Sequence, residues 1–298
     1  MEICKELISL NNTVVGLGFF DGVHIAHREL ISELVQTAKS NDLNSVLVTF
    51  RKSPAEKFVN DVEYLTTNEE KEEQINQLGV DYLFELEFDE TLMNMSAKDY
   101  IGLLVEYFQP KYIFTGFNHT FGKGKTGTPE LLAEFAGTYG YNYVQIPPVE
   151  YKQETISSTR IRKALKLGDV QSAQELLGRH FSIEGVVCQG QQIGRTIGFP
   201  TANVVYPERK VRIPFGVYSV SVEIEGEVFK GILNYGIKPT FTSDKTPLME
   251  VHIFDFNQNV YNKPIKINLL KWIREERKFD SPEELKSQIE KDLKECLK

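Results

Sequence analysis

The periodicity of the apolar residues changes once along this chain of 298 residues, and that change limits the possible folds more than any other feature. Up to about residue 180, short apolar runs such as 14–20 and 45–50 alternate with stretches such as 27–40, whose apolar residues recur at i, i+3 and i+4. Strands that alternate with helices predict a parallel sheet with right-handed crossovers. From about residue 180 to 274 the period is two, which predicts an antiparallel β-domain, most simply a small closed barrel.

The predicted fold is therefore α/β. A Rossmann-like domain with a parallel sheet covers residues 1–180, and a small antiparallel β-barrel with a C-terminal helix covers residues 183–298. Glu225-Gly226 predicts a hairpin turn, and Ser281 with Pro282 and Glu284 predicts the capped start of the last helix. The further predicted helices cover 67–78, 97–108, 129–139 and 159–177, and the further predicted strands cover 81–86, 111–117 and 141–146.

Charge and cysteine content point away from nucleic acids and from secretion. The net charge of −8 is unlike that of a nonspecific nucleic-acid binder, which needs a basic face. Cys4, Cys188 and Cys296 are too few and too far apart for a disulfide framework, and are typical of reduced thiols. The sequence has neither a signal peptide nor an apolar run of the ~18 residues that a membrane span needs. We expect a cytoplasmic protein without a nucleic-acid or membrane partner, and a monomer is favoured.

The stretch GQQIGRTIGFPTAN at 190–203 predicts a phosphate and metal site. Gly194, Arg195 and Gly198 can bring backbone N–H groups and one cation close to phosphates. Thr201 and Asn203 offer neutral oxygen ligands at alternate positions, which suit Mg²⁺. The alternative is a glycine-rich hairpin with a polar turn.

A second candidate site joins the first strand to the first helix. The segment from Gly18 through Asp21 to His27 lies at the carboxyl end of a strand, where open parallel sheets bind ligands. His24 and His27 fall at the start of a helix, where they can donate hydrogen bonds to a triphosphate. A zinc site and two unrelated surface histidines are the alternatives.

Two further segments of the first domain carry candidate phosphate ligands. Ser158 and Thr159 precede a helix in which Arg162 follows, and arginine can neutralise a pyrophosphate leaving group. The hydroxyls also fit a simple helix cap. Asn118 lies in a glycine-bounded loop at 116–122, directly after a predicted strand, and this loop could clamp a nucleotide from the other side.

In the second domain, Glu250 is the best candidate for a general base, because it is an acidic residue on an otherwise apolar strand. From the alternation alone, a solvent-facing carboxylate is the favoured interpretation. Arg274 is a candidate contact for flavin or phosphate, and a surface ion pair is an equal alternative.

The motifs together resemble the prokaryotic bifunctional riboflavin kinase/FMN adenylyltransferase (FAD synthetase) family over nearly the whole chain. The segments 18–27, 116–122 and 155–162 resemble that family's Phe-Asp-Gly-Val-His-x-Gly-His, Gly-x-[Asn/Asp]-Phe-x-Phe-Gly and Ile-Ser-Ser-Thr-x-Ile-Arg motifs. The segment 194–203 resembles its kinase nucleotide loop, and 231–240 resembles a loop ending in Arg-Pro-Thr, with Lys238 in the arginine position.

The resemblance implies an ATP-dependent transferase with Mg²⁺, which makes FMN from riboflavin and FAD from FMN with ATP as co-substrate. It makes His24, His27, Arg162 and Glu250 the catalytic residues, and Thr201 and Asn203 the metal ligands. It places ATP on the residues Gly18, Asp21, Asn118, Ser158, Thr159, Gly194, Arg195 and Gly198.

The first domain departs from the family pattern at a few positions. Ala26 replaces a glycine between the histidines, Ser53 replaces a histidine, His119 replaces an aromatic residue and Lys125 replaces an arginine. Two alternatives therefore stay open: an enzyme that has kept only one of the two activities, and a non-catalytic flavin-binding regulatory protein.

Overall fold

The computed structural model describes residues 1–189, 198–237 and 247–296. It divides into two compact units, Met1–Ser158 and Thr159–Lys298. The helical pair at 159–177 falls in the second unit, while the domain boundary near 179–183 stays a prediction. Of the predicted site residues, Gly194 and Arg195 lie outside the described residues, as does Lys238.

The first unit contains a six-stranded sheet with the order β1-β4-β3-β2-β5-β6, and every neighbouring pair is parallel. The predicted parallel sheet is thus confirmed. Its strands are β1 (Glu2–Cys4), β2 (Thr13–Leu17), β3 (Asn44–Phe50), β4 (Tyr82–Leu86), β5 (Pro110–Gly116) and β6 (Asn142–Ile146). The helices of this unit are α1 (Ile25–Ser40), α2 (Asn68–Asn76), α3 (Glu90–Asn94), α4 (Ala97–Phe108) and α5 (Pro129–Tyr139). A two-stranded hairpin follows, with β7 (Glu150–Tyr151) and β8 (Glu154–Thr155).

The two faces of the sheet carry separate cores, as successive residues of a strand point to opposite faces. Val14 packs with Leu30, Ile31 and Leu34 of α1. Val15 lies on the other face, in a core that α4 shares. Because the connections from β2 and β5 run to opposite sides of the sheet, the carboxyl ends of these two neighbouring strands form a topological switch point, where such sheets bind ligands.

The second unit begins with the helices α6 (Ser158–Lys166) and α7 (Val170–Leu177) and continues into a closed six-stranded antiparallel barrel. The barrel order is β10-β13-β12-β11-β14-β9, which confirms the predicted small barrel. The strands are β9 (Ser182–Cys188), β10 (Ala202–Val205), β11 (Gly216–Ile224), β12 (Glu227–Ile237), β13 (Pro247–Ile253) and β14 (Pro264–Glu275). The helix α8 (Pro282–Cys296) closes the chain.

Local sequence signals predicted several boundaries of helices and strands correctly, and one predicted loop was wrong. Glu225 and Gly226 form the two-residue turn between β11 and β12, both with positive φ (51° and 86°), as such hairpins require. Ser281 accepts a hydrogen bond from the Glu284 backbone N–H at 3.2 Å. The segment 231–240, treated as a loop, is strand up to Ile237, because Leu233 and Tyr235 are fully buried in the barrel.

Candidate functional sites

The turn after β2 holds an unusual backbone conformation. Phe20, Gly22 and Val23 have positive φ values of 56°, 80° and 36°. A buried β-branched residue such as Val23 is rarely found there, and such strain persists only where the surroundings enforce it. Strain of this kind is a mark of functional turns.

Asp21 and Gly22 enforce this turn through hydrogen bonds to residues 65–66. Asp21 Oδ1 accepts from the backbone N–H groups of Leu65 (2.8 Å) and Thr66 (3.3 Å), and Gly22 N–H donates to Thr66 Oγ1 (3.2 Å). The carboxylate of Asp21, predicted to contact ATP, therefore has a structural role in the described residues. Packing also favours glycine at position 18, since a Cβ there would lie 2.7 Å from the ring of Phe20.

His24 and His27 form a stacked pair at the start of α1. Their ring centroids lie 3.6 Å apart with 17° between the planes, and His24 caps the helix by accepting from His27 N–H at 3.4 Å. The helix begins at Ile25, two residues before the predicted start, so His24 is its N-cap and His27 lies in its first turn. Nδ1 of His27 is buried and has no hydrogen-bond partner among the described residues.

Burial keeps His27 in the uncharged form. Desolvation, with a smaller contribution from His24, lowers the pKa of His27 well below 6.5. A neutral imidazole at the positive end of a helix can donate a hydrogen bond to a phosphate oxygen without carrying a charge of its own.

Ser158 lies beside this turn. Its Oγ donates to the carbonyl of Asp21 at 2.9 Å, although the two residues are 137 positions apart. The structure thus brings Ser158 to the segment 18–27, which carries His24 and His27 and which we call the histidine turn. Thr159 and Arg162 follow in α6, in the second unit, and their contacts with ATP stay predictions.

The loop after β5 lies at the same switch point. Asn118 is exposed in it, whereas His119 is partly buried with its Nε2 enclosed, and its ring lies nearly parallel to that of Phe121, with centroids 5.9 Å apart. Burial lowers the pKa of His119 to about 4. The histidine therefore serves as an uncharged aromatic ring, in keeping with the aromatic residue that the family pattern has there.

Ser53, another departure from that pattern, caps a short 3₁₀ turn at 54–57. Its Oγ accepts from Ala55 N–H at 3.2 Å, and its own N–H donates to Tyr64 Oη at 3.0 Å. The missing histidine is thus replaced by a residue that the local backbone uses. A buried charged cluster nearby, Lys71 with Glu85 and Arg51, was missed by sequence reasoning, because α2 has the pattern of a solvated polar helix.

In the second unit, three polar side chains line up across neighbouring strands on the outer wall of the barrel. Asn203 of β10 and Asn234 of β12 are both register partners of Glu250 on β13, so the three side chains point to the same side. We call Asn203, Glu250 and Asn234 the polar row. Asn234 was not among the predicted site residues, since sequence does not give the pairing of strands that are distant along the chain.

A pocket of about 340 Å³ lies between the barrel wall and α8, and we call it the helix-side pocket. Its polar lining comes from Thr201, Asn234, Glu250, His252, Arg274, Glu276, Arg277 and Asp292. Its apolar lining comes from Phe199, Val217, Ile232, Phe279, Leu285 and Ile289.

A second pocket of about 370 Å³, the loop-side pocket, adjoins the first through Thr201, which lines both. Its other lining includes Pro200, Ala202 and the residues 256–261. The segment at 199–201 is fixed against β13, because His252 Nδ1 lies 2.8 Å from the Pro200 carbonyl and the His252 ring meets that of Phe199 edge-on. Gly198, just before it, has a φ of 89°.

Arg274 is held by Asp292 of α8. Its Nε lies 3.0 and 3.1 Å from the two carboxylate oxygens, and Nη2 lies 2.8 Å from Oδ2. The ion-pair alternative is thus observed, in a half-buried form, while the flavin contact of Arg274 stays a prediction.

In the described ranges, no three His, Cys, Asp or Glu side chains are grouped so that they could hold a metal, which gives the zinc alternative at His24 and His27 no support. The donor set of Thr201, Asn203 and Glu250 consists of hydroxyl, amide and carboxylate oxygens, which fits a hard cation such as Mg²⁺.

Comparison with known proteins gives both units a family. The FAD synthetase family matches residues 7–160, and the riboflavin kinase family matches residues 177–298. A bifunctional riboflavin kinase/FMN adenylyltransferase of Bacillus subtilis is 39% identical over 96% of this chain and 92% of its own length. The Escherichia coli K12 protein of the same description is 36% identical over 94% and 90%.

A solved structure from Streptococcus pneumoniae, described as a macrolide-efflux protein, superposes with a TM-score of 0.89 at 33% identity, covering 97% of this chain and 95% of that one. The chain belongs to the family of bifunctional riboflavin kinase/FMN adenylyltransferases, as the resemblance predicted. Among the helices that the structure describes, none is long and apolar enough to cross a membrane.

Proposed function

We propose that this chain carries out both reactions of its family: riboflavin and ATP give FMN and ADP in the second unit, and FMN and ATP give FAD and pyrophosphate at the sheet of the first. The observation that carries the kinase reaction is the position of Glu250, in the middle of the polar row and on the wall of the helix-side pocket. The alternatives of a single retained activity and of a non-catalytic flavin binder have no observation in their favour.

The two adjoining pockets divide the kinase substrates between them. The apolar helix-side pocket suits the flat isoalloxazine ring of riboflavin, and the loop-side pocket takes ATP. Since Thr201 lines both, the γ-phosphate and the ribityl 5′-hydroxyl would meet beside it, within reach of Glu250.

In the kinase step, Glu250 takes the proton of the 5′-hydroxyl. The hydroxyl oxygen then bonds to the γ-phosphorus while the bond from that phosphorus to the β-γ bridging oxygen breaks, and ADP leaves. Thr201 and Asn203 would hold Mg²⁺, which neutralises phosphate charge when bound.

Adenylyl transfer needs less help from a base. The phosphate of FMN is already largely ionised at neutral pH, since its second pKa is about 6. One of its oxygens attacks the α-phosphorus of ATP and pyrophosphate leaves. The contribution of the protein to this step would be electrostatic. His24 and His27 at the α1 N-terminus would stabilise the charge that develops on the phosphates, and Arg162 would bind the leaving pyrophosphate.

A substitution at Glu250 tests the kinase assignment. In Glu250→Gln we expect the kcat of FMN formation to fall by about 10²–10⁴-fold, because the base is lost. Riboflavin binding, measured by flavin fluorescence, should persist because the amide keeps the shape of the side chain. The exposed carboxylate of Glu227, on the neighbouring strand β12, gives the matched control Glu227→Gln. Unchanged FMN formation in Glu250→Gln would remove this residue from the mechanism.

A further inference from the structure

The helix α2 buries charge where its sequence suggests a solvated surface. Glu70, Lys71 and Gln74 are each at most 7% exposed, on the same helix side as the buried Ile75. Taking an ammonium group out of water is unfavourable unless close partners compensate for the lost hydration. The partners of Lys71 therefore show what this burial accomplishes.

The Lys71 ammonium contacts three groups of the first unit. Nζ donates to the carbonyl of Phe50 at the end of β3 (3.0 Å), and it pairs with Glu85 Oε1 on β4 (3.5 Å). It also lies 5.3 Å from the ring centroid of Phe19. These contacts tie the Lys71 ammonium to the ends of β3 and β4 and to the ring of Phe19.

Phe19 links this cluster to the histidine turn. It stands between Gly18 and the strained residues of that turn, its carbonyl accepts from Thr49 Oγ1 at 3.0 Å, and its ring contacts Tyr64 with centroids 5.8 Å apart. Fixing the ring of Phe19 from the ends of β3 and β4 limits how the following residues can move. Desolvated cation–π contacts are stronger than exposed ones, which suits this purpose.

We propose that Lys71 is a positioning residue for adenylyl transfer: its ammonium links the ring of Phe19 to the Phe50 carbonyl and to Glu85, and so keeps the turn at 20–24 in the conformation that places His24 and His27. The role rests on the proposed function, because it presupposes that the histidine turn binds ATP. A positioning role differs from a purely stabilising one. It affects the geometry of the turn, on which adenylyl transfer depends, whereas a stabilising role would affect only the folding of the unit.

The first test is the substitution Lys71→Met, which removes the charge and keeps the length of the side chain. We expect kcat/KM for ATP in FAD formation to fall on the order of 10²-fold, the effect of a misplaced binding group. FMN formation by the same molecules should be unchanged, and it reports that the second unit is intact. Lys71→Arg, which retains a cation beside Phe19, should recover most of the lost activity. Lys39→Met, at an exposed position of α1, is the matched control and should behave as the wild type.

The double variant Lys71→Met/Glu85→Gln separates positioning from stability. In Lys71→Met the buried carboxylate of Glu85 keeps only Arg51 as a charge partner. The second substitution removes this carboxylate, so hydrogen exchange in β3 and β4 should return toward the wild-type rate. Adenylyl transfer should stay low, because Phe19 still lacks its cation. Recovery of FAD formation together with stability would overturn the positioning role, and so would a wild-type kcat/KM in Lys71→Met. A wild-type chain that makes no FAD at all would instead remove the proposed function of this unit, and this role with it.

Discussion

At the scale of single residues, departures from the family pattern are accommodated by the local structure. His119 replaces an aromatic residue and behaves as one, since its partly buried ring lies nearly parallel to that of Phe121. Ser53 replaces a histidine and caps a short turn. Among the described contacts, the strained backbone of the histidine turn is held by Asp21 and Thr66, and not by His119 or Ser53. These departures therefore do not argue against an active first unit.

The buried imidazole of His119 predicts a pH dependence of stability. Burial lowers its pKa to about 4 from 6.5, so below pH 6.5 the unfolded chain takes up a proton that the folded chain does not. The free energy of unfolding of the first unit should therefore decrease as the pH falls from 6.5 to 4, by about 3 kcal/mol for this group. Amide hydrogen exchange in β5 measures this free energy locally. In His119→Phe the decrease should shrink by that amount, and an unchanged pH profile would contradict the burial of an uncharged imidazole.

At the scale of elements, α8 closes the helix-side pocket. Leu285, Ile289 and Asp292 are spaced so that one side of the helix faces the barrel, and Asp292 binds Arg274 of β14 there. The barrel wall that carries Glu250 lines the same pocket. The docking of α8 should thus decide how firmly a flavin is enclosed.

Asp292→Asn should loosen this docking. It leaves Arg274 without its charge partner, which we expect to reduce the opening free energy of α8 by about 2 kcal/mol, between the values typical of exposed and of buried pairs. Hydrogen exchange of α8 measures the opening, and the KM for riboflavin should rise. Glu295→Gln breaks the more exposed pair with Lys271 on the same helix and should cost about 0.5 kcal/mol or less. Equal effects of the two substitutions would show that the Arg274 contact has no special importance.

Much of this fold was predictable because its signals are local. The period of the apolar residues gave the parallel sheet and the barrel, and Glu225-Gly226 gave the hairpin. The histidine turn was predictable from its place between a strand and a helix. The polar row was not, because the pairing of Glu250 with both Asn203 and Asn234 depends on strand order in the closed barrel. The burial of Lys71 was not predictable either, as a lysine in a polar helix is usually exposed.

At the scale of the whole molecule, the two family matches, residues 7–160 and 177–298, predict two independent reactions. Arg162 lies between these matches and is proposed to bind the leaving pyrophosphate of adenylyl transfer, so Arg162→Ala should reduce FAD formation on the order of 10²-fold or more and leave FMN formation unaffected. Separate assays with FMN and with riboflavin distinguish the two reactions. Lys163→Ala, at the next and exposed position of α6, is the control. Parallel loss of both activities in Arg162→Ala would contradict independent sites.

The most direct test of the account is to identify the flavin products of the purified protein with ATP and Mg²⁺, using riboflavin in one reaction and FMN in the other, and separating the flavins by chromatography. We predict FMN and FAD from riboflavin, and FAD from FMN. FMN as the sole product from riboflavin, with no FAD from FMN, would contradict an active histidine turn. FAD from FMN without any product from riboflavin would contradict the role of Glu250 and the polar row, and no product from either substrate would contradict the enzyme itself.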